Sequence, residues 1–226
     1  MKYVWIVLLG ALCLCAGQAQ AEEPPAQKKK AAATALFQAA SAGDAAAQYT
    51  LGAMYASEMS LVDNDAKAFR WYSAAARQGY AQAQLLVGVM YANGRGVGED
   101  DAEAAVWLRK AADQDNVMAQ FILGNMYENG EGVAQDSAQA AGWYKKAAMQ
   151  GDPEAQYSLT GIYGEGRGVP EDLVEAWAWF DLAAAQGDER AAAARGELDG
   201  RMDDVARAEA AKKAQAYRNH FSVLYE

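Results

Sequence analysis

Cysteine is nearly missing from this 226-residue chain, and its two copies, Cys13 and Cys15, both stand within the first fifteen residues. A disulfide framework is therefore excluded for everything that follows them. Proline is scarce too, at four, and alanine is used heavily. Pro is the poorest helix former and Ala the best, so this balance points to helices. The single histidine, His220, cannot build a zinc site without other soft ligands; it is expected on the surface near the C-terminus. Cations are outnumbered, with 20 Lys and Arg against 30 Asp and Glu and a net charge of -10. Phosphate backbones are held by clustered Lys and Arg, so no nucleic-acid partner is expected.

Long apolar runs are also lacking. The run from Val4 to Ala16 falls short of the roughly 20 residues that a spanning helix needs. Lys2 before it and Ala19-Gln20-Ala21 after it give the layout of a cleaved secretory signal, residues 1–21. A lipoprotein signal wants a small residue before its cysteine, and Leu12 and Leu14 occupy those places. Cleavage removes one charge, Lys2, and both cysteines, taking the chain from -10 to -11 and leaving no thiol. The expected location is periplasmic or secreted, with no stable membrane insertion after cleavage. Residues 22–33, with Pro24, Pro25 and Lys28 to Lys30, read as a disordered leader.

What is present in abundance is repetition. Gly43 to Gln78, Gly79 to Gln114, Asp115 to Gln150 and Gly151 to Gln186 align without a gap at a period of 36. Gln48, Gln84, Gln120 and Gln156 recur, as do Tyr55, Tyr91, Tyr127 and Tyr163, and Trp71, Trp107, Trp143 and Trp179. Each unit reads as two helices. The first keeps one apolar face at spacings of three and four, as in Ala47, Leu51, Gly52 and Tyr55. Small residues at the Gly52 position, repeated at Gly88 and Gly124, let a neighbouring helix come close; Thr160 stands there in the fourth unit and should shift that contact.

Boundaries are legible as well. Asn64, Asp100, Asp136 and Asp172 are expected to cap the second helices, with Glu103, Gln139 and Glu175 three residues on as reciprocal partners. Gly79, Asp115, Gly151 and Gly187 close them in a left-handed conformation. Asp44, Asn116, Asp152 and Asp188 then cap the next first helices, Pro153 fits N1, and Tyr80 breaks the pattern. Between the helices stands Asn93-Gly94-Arg95-Gly96-Val97, repeated at 129–133 and, with Glu165 leading, at 165–169. Nucleotide-binding glycine loops follow a strand and carry further glycines or a Lys. Here two glycines at positive φ reverse the chain and the Val tucks inside. The first unit has Glu58, Ser60 and Leu61 instead, so its turn must differ.

Gly151-Asp152, Ala155-Gln156, Tyr163, Gly166-x-Gly168-Val169, Asp172, Ala176, Trp179-Phe180, Ala183-Ala184 and Gln186-Gly187 resemble the Sel-one-like repeat, a relative of the tetratricopeptide repeat. The match runs from Gly43 to Gly187 as four full units, with a leading half-unit at 34–42 and a closing unit at 187–226. The resemblance implies an all-α fold, a right-handed superhelical solenoid of stacked antiparallel helix pairs, as one domain over 34–226. No pair alone can bury both its apolar faces, so neighbours must stack, which makes the Trp and Tyr ladders core positions.

Catalytic machinery is not expected. No Ser is followed three residues later by Lys, the arrangement of β-lactamases and penicillin-binding proteins. Some relatives with this repeat are linked to β-lactam recognition, but those are cysteine-rich. A cell-wall-directed enzyme or inhibitor is thus the alternative to a protein-interaction scaffold. The acidic run Glu99, Asp100, Asp101 and Glu103 is read as a solvated turn with its cap, and no metal or cofactor is implied. By analogy with tetratricopeptide arrays, first-helix positions line the concave wall. One row, Tyr49, Leu85, Phe121 and Tyr157, is apolar throughout, flanked by Ala46, Gln82, Met118 and Glu154 and by Ala53, Val89, Asn125 and Gly161. Two readings stand: the row packs against the second helices, or it floors a groove for a protein or peptide partner, with Met118 and Asn125 beside it. The wall lacks the cations that clamp a C-terminal carboxylate, and the protein is expected to be a monomer.

Amino-terminal sequencing of exported material should begin at Glu22. Retention of Met1, or a lipid on Cys15, contradicts the cleavage reading.

Overall fold

Eleven helices follow one another among residues 25–57 and 62–224, which the computed structural model describes. They are α1 (Pro25–Ser41), α2 (Ala45–Ser57), α3 (Val62–Arg77), α4 (Ala81–Ala92), α5 (Asp101–Ala112), α6 (Val117–Asn129), α7 (Ser137–Ala148), α8 (Pro153–Glu165), α9 (Leu173–Ala185), α10 (Glu189–Asp199) and α11 (Asp204–Leu224). The pairs α2/α3, α4/α5, α6/α7 and α8/α9 pack together, and each second helix also packs on the first helix of the next unit. The result is the all-α solenoid of 36-residue helix pairs that the period implied.

Most of the boundaries fall where a short polar side chain can take the free N–H groups of a first turn. Asp100 accepts from Glu103 N, Asp136 from Ala138 N and Gln139 N, and Asp172 from Glu175 N. Asp44, Asn116, Asp152 and Asp188 do the same for α2, α6, α8 and α10, while Tyr80 makes no side-chain cap. Three expectations are corrected. Asn64 does not cap α3, which starts two residues earlier at Val62. The reciprocal bonds to Glu103, Gln139 and Glu175 are not made, because the N–H groups of Asp100, Asp136 and Asp172 donate to the Tyr91, Tyr127 and Tyr163 carbonyls, and Glu175 turns its carboxylate toward Trp179 Nε1 and Tyr217 Oη. And α1 spans Pro25–Ser41, so residues 25–33 of the segment expected to be disordered are helix, in keeping with the strong helix propensity of Lys and Ala. The signal reading and the odd first turn, Glu58 to Leu61, lie outside the described residues.

The recurrent glutamines form the seam between units. Gln48, Gln84, Gln120 and Gln156 are all buried. Each donates from Nε2 to a last-turn carbonyl of the preceding second helix: Ala40, Ala76, Ala112 and Ala148, at 3.0 to 3.3 Å. Each also accepts at Oε1 from Gln78, Gln114, Gln150 or Gln186 at the end of its own unit, at 2.7 to 2.9 Å. One amide thus joins three successive helices, leaving neither its donor nor its acceptor unpaired in the core.

Close approach between paired helices rests on the small residue at the middle of each first helix. A Cβ on Gly52 or Gly124 would stand 2.6 Å from the ring of Tyr72 or Tyr144, and one on Gly88 would stand 2.6 Å from Leu108 Cγ. These three partners are buried. Where Thr160 stands instead, Phe180 is only half-buried and turns edge-on to Tyr157, ring centroids 6.4 Å apart. Turn glycines serve a second close approach. Gly132 has φ +65°, and a Cβ there would come within 2.0 Å of the Asp101 carbonyl in the preceding unit; a side chain is thus excluded by conformation and by space together. The valines of the turns, Val97, Val133 and Val169, are half-buried. The Trp ladder is graded: Trp143 and Trp179 are buried, whereas Trp71 and Trp107 are half-exposed.

Gly88→Leu should lower stability by about 2 kcal/mol through overpacking against Leu108, read as a lower midpoint in denaturant with an unchanged slope. An unchanged midpoint would remove the close-approach role.

Candidate functional site

First helices present the row singled out above, and the structure splits it between packing and exposure. Tyr49 is half-buried between Tyr72 and Tyr80, with centroids 5.7 and 5.1 Å away. Leu85 is half-buried against the cluster around Leu108 and Leu123. Phe121 leans on Tyr144 at 5.8 Å and keeps one edge outward. Tyr157 is 39% exposed and Met118 59%. Asn125 is already engaged: Tyr144 Oη lies 2.6 Å from it and 2.7 Å from Glu128. One phenolic proton cannot serve two acceptors, so the Asn125 amide turned to donate satisfies the contact.

Phe121 and Tyr157 are brought together, with Pro153, Glu154, Ser158, Asp188 and Arg190, around an open cavity of about 280 Å³. Met118 is not among its lining residues, and Tyr49 and Leu85 lie in earlier units. Arg190 was missed by the sequence reading, although it stands one period after Glu154 in the flanking row. Its guanidinium sits 4.8 Å from the Tyr157 ring centroid and pairs with Asp188 at 3.1 Å. The wall therefore carries an apolar floor with a cation that is already spoken for, framed by two carboxylates.

Burial pushes the phenols of Tyr72, Tyr144 and Tyr217 up, Tyr72 to about 12. Such groups move away from the neutral range in which a general base or nucleophile works. His220 is exposed, its Nε2 3.2 Å from the Met149 carbonyl, and Asp100 of the acidic run is the cap of α5.

A second constellation closes the array, and sequence pattern alone did not show it. Glu175 and Asp181 on α9 are buried carboxylates. Glu175 meets Lys213 at 2.6 Å, Tyr217 at 2.7 Å and Lys145 at 3.7 Å. Asp181 pairs with Arg195 at 2.6 Å and with Arg218. Part of the charge on α11 is thus turned inward. Burial by itself would raise the Glu175 carboxyl, but hydrogen bonds from Lys213 and Tyr217 and the charges of Lys213 and Lys145 outweigh it and hold it below the usual carboxylate range.

Repeated helix pairs held by buried amides define a helical-repeat solenoid, in which no described helix is long and apolar enough to cross a membrane. The Sel1 repeat model matches residues 45–80, 81–116, 117–152 and 153–188, the same period offset by two residues from the units read above. The chain belongs to the Sel1 repeat family, which is known for protein–protein interaction. Among solved structures, a Sel1 repeat protein from Oxalobacter formigenes is 30% identical, with a TM-score of 0.70, 83% of this chain and 81% of that one being covered. A protective antigen present in uropathogenic Escherichia coli strains is 34% identical, with a TM-score of 0.69 and 82% of this chain covered; the chain spans 40% of that antigen's length. No curated protein matches the chain.

A carboxyl with a depressed folded-state pKa contributes stability that is present above its unfolded value, about 4.3, and is lost as pH falls through the folded value. Thermal melts should therefore fall steeply below about pH 4, and Glu175→Gln should lower the melting temperature at pH 7 while flattening that acid limb. An acid limb identical in both proteins would remove Glu175 from it.

Proposed function

We propose that this protein is an exported scaffold that binds a protein or peptide partner on the wall formed by its first helices, with Tyr49, Leu85, Phe121 and Tyr157 as the apolar track and Met118 and Asn125 at its margin. The observation that carries the reading is the open cavity between Phe121 and Tyr157, where the row turns from packed to accessible. Exposed apolar surface on a water-soluble chain marks interaction sites, and aromatic side chains dominate binding energy when a partner buries them. Asn125 orders Tyr144 and supports the track from beneath. Export is supported by the layout of residues 1–21, with Lys2 before an apolar run and Ala19-Gln20-Ala21 after it. No catalytic role is assigned.

Affinity capture from an envelope extract, with wild type and Tyr157→Ala immobilised side by side, tests the reading. Tyr157→Ala should reduce partner recovery at least about tenfold, a loss of roughly 1.4 kcal/mol, with the melting temperature within a few degrees of wild type. Phe121→Ala should weaken binding and also cost about 1–2 kcal/mol of stability, because its ring leans on Tyr144. Equal recovery by wild type and both variants would place the partner elsewhere.

A further inference from the structure

The outer face of each second helix repeats four positions at spacings of three, one and three. On α9 these are Glu175, Ala178, Trp179 and Leu182, and all four are buried because α11 lies along them. Tyr217 stacks on Trp179, centroids 4.4 Å apart and planes 20° apart. Lys213, one helical turn before Tyr217, meets Glu175 at 2.6 Å. The chain thus contains an instance of what this face accepts: a helix presenting an aromatic side chain, with a charge four residues earlier that opposes the residue beneath it.

On α3 the corresponding residues are Lys67, Arg70, Trp71 and Ala74, and they line an open groove of about 370 Å³. Trp71 is half-buried, its ring set edge-on to Phe37 at 6.0 Å, and Phe37 is itself 52% exposed. Lys67 and Arg70 are exposed. Lys67 stands 5.5 Å from the Tyr55 ring centroid, and neither cation is paired with a carboxylate among the described residues. In a chain with a net charge of -10, an aromatic floor beneath two unpaired cations is complementary to an acidic group on an apolar body.

We propose that this α3 face is a second docking site, separate from the first-helix wall, for an amphipathic helix of a partner protein. That helix presents an aromatic residue to Trp71 and a carboxylate one turn before it to Lys67 and Arg70. Apolar anchors at helical spacing supply the contact, as in other helix-in-groove complexes, and the charge selects among helices. A second copy of this chain is the wrong occupant, because its own Lys213 would fall against Lys67.

Two fluorescein-labelled peptides, residues 204–224 unaltered and the same segment with Lys213→Glu, probe the site on the full protein by anisotropy. The Lys213→Glu peptide should bind at least about tenfold more tightly than the unaltered one. Lys67→Glu combined with Arg70→Glu should reverse that preference; both side chains are exposed, so the fold is kept. Trp71→Ala should weaken the Lys213→Glu peptide about tenfold, and Phe121→Ala should leave both titrations unchanged. Equal affinities, no binding of either peptide, a preference that survives the double reversal, or sensitivity to Phe121→Ala would each overturn the proposal.

Discussion

A carbonyl at the end of a helix has hydrogen-bonding capacity that the helix itself cannot use, and in this protein the stacking of units is built on that capacity. Ala76, Ala112 and Ala148 each accept a turn N–H and then a glutamine amide from the next unit. Because that amide also accepts from the glutamine closing its own unit, position and orientation of three helices are fixed by one side chain. An unpaired buried amide costs about 1–3 kcal/mol, so a slipped or rotated unit is penalised at every seam. Apolar packing alone lacks that directionality.

Such seams allow the rest of the surface to be ungenerous with order and generous with exposure. The glycines at the middle of α2, α4 and α6 bring the second helices close enough for Tyr72, Leu108 and Tyr144 to be buried, which in turn props up Tyr49 and Phe121 from below. The rings of the proposed track are thus held by packing before any partner arrives, and preorganisation of that kind reduces the entropy that binding must overcome.

The two ends of the array solve the same geometric problem differently. At the carboxyl end, α11 covers the outer face of α9 and neutralises Glu175 and Asp181 with Lys213, Arg218 and, from α10, Arg195. Buried carboxylates left without those partners would be strongly destabilising, so the closing helix is specified by charge as well as by shape. At the amino end the equivalent face carries Lys67 where α9 has Glu175 and Arg70 where it has Ala178, and no described helix lies along it, although Phe37 meets Trp71 edge-on. One face thus seals the array on α9 and stays open on α3.

Period, helix number per unit, caps and turns were legible in the sequence because each depends on neighbours within four residues or on spacing that repeats. Asp100, Asp136, Asp172 and the Gly-x-Gly turns are of that kind, and the recurrence of Trp and Gln at 36 was visible even where the role of Gln was not. The departures trace to partners that local pattern cannot supply. Glu175 fits a capping box by spacing, yet Lys213 and Tyr217, some 40 residues on, draw it inward. How much of Phe121 is covered depended on how far Tyr144 could approach Gly124, and the tertiary structure leaves it half-buried against that ring. Residue type and spacing determined the repeat; which side chains remain free was decided only when helices distant in sequence competed for the same faces.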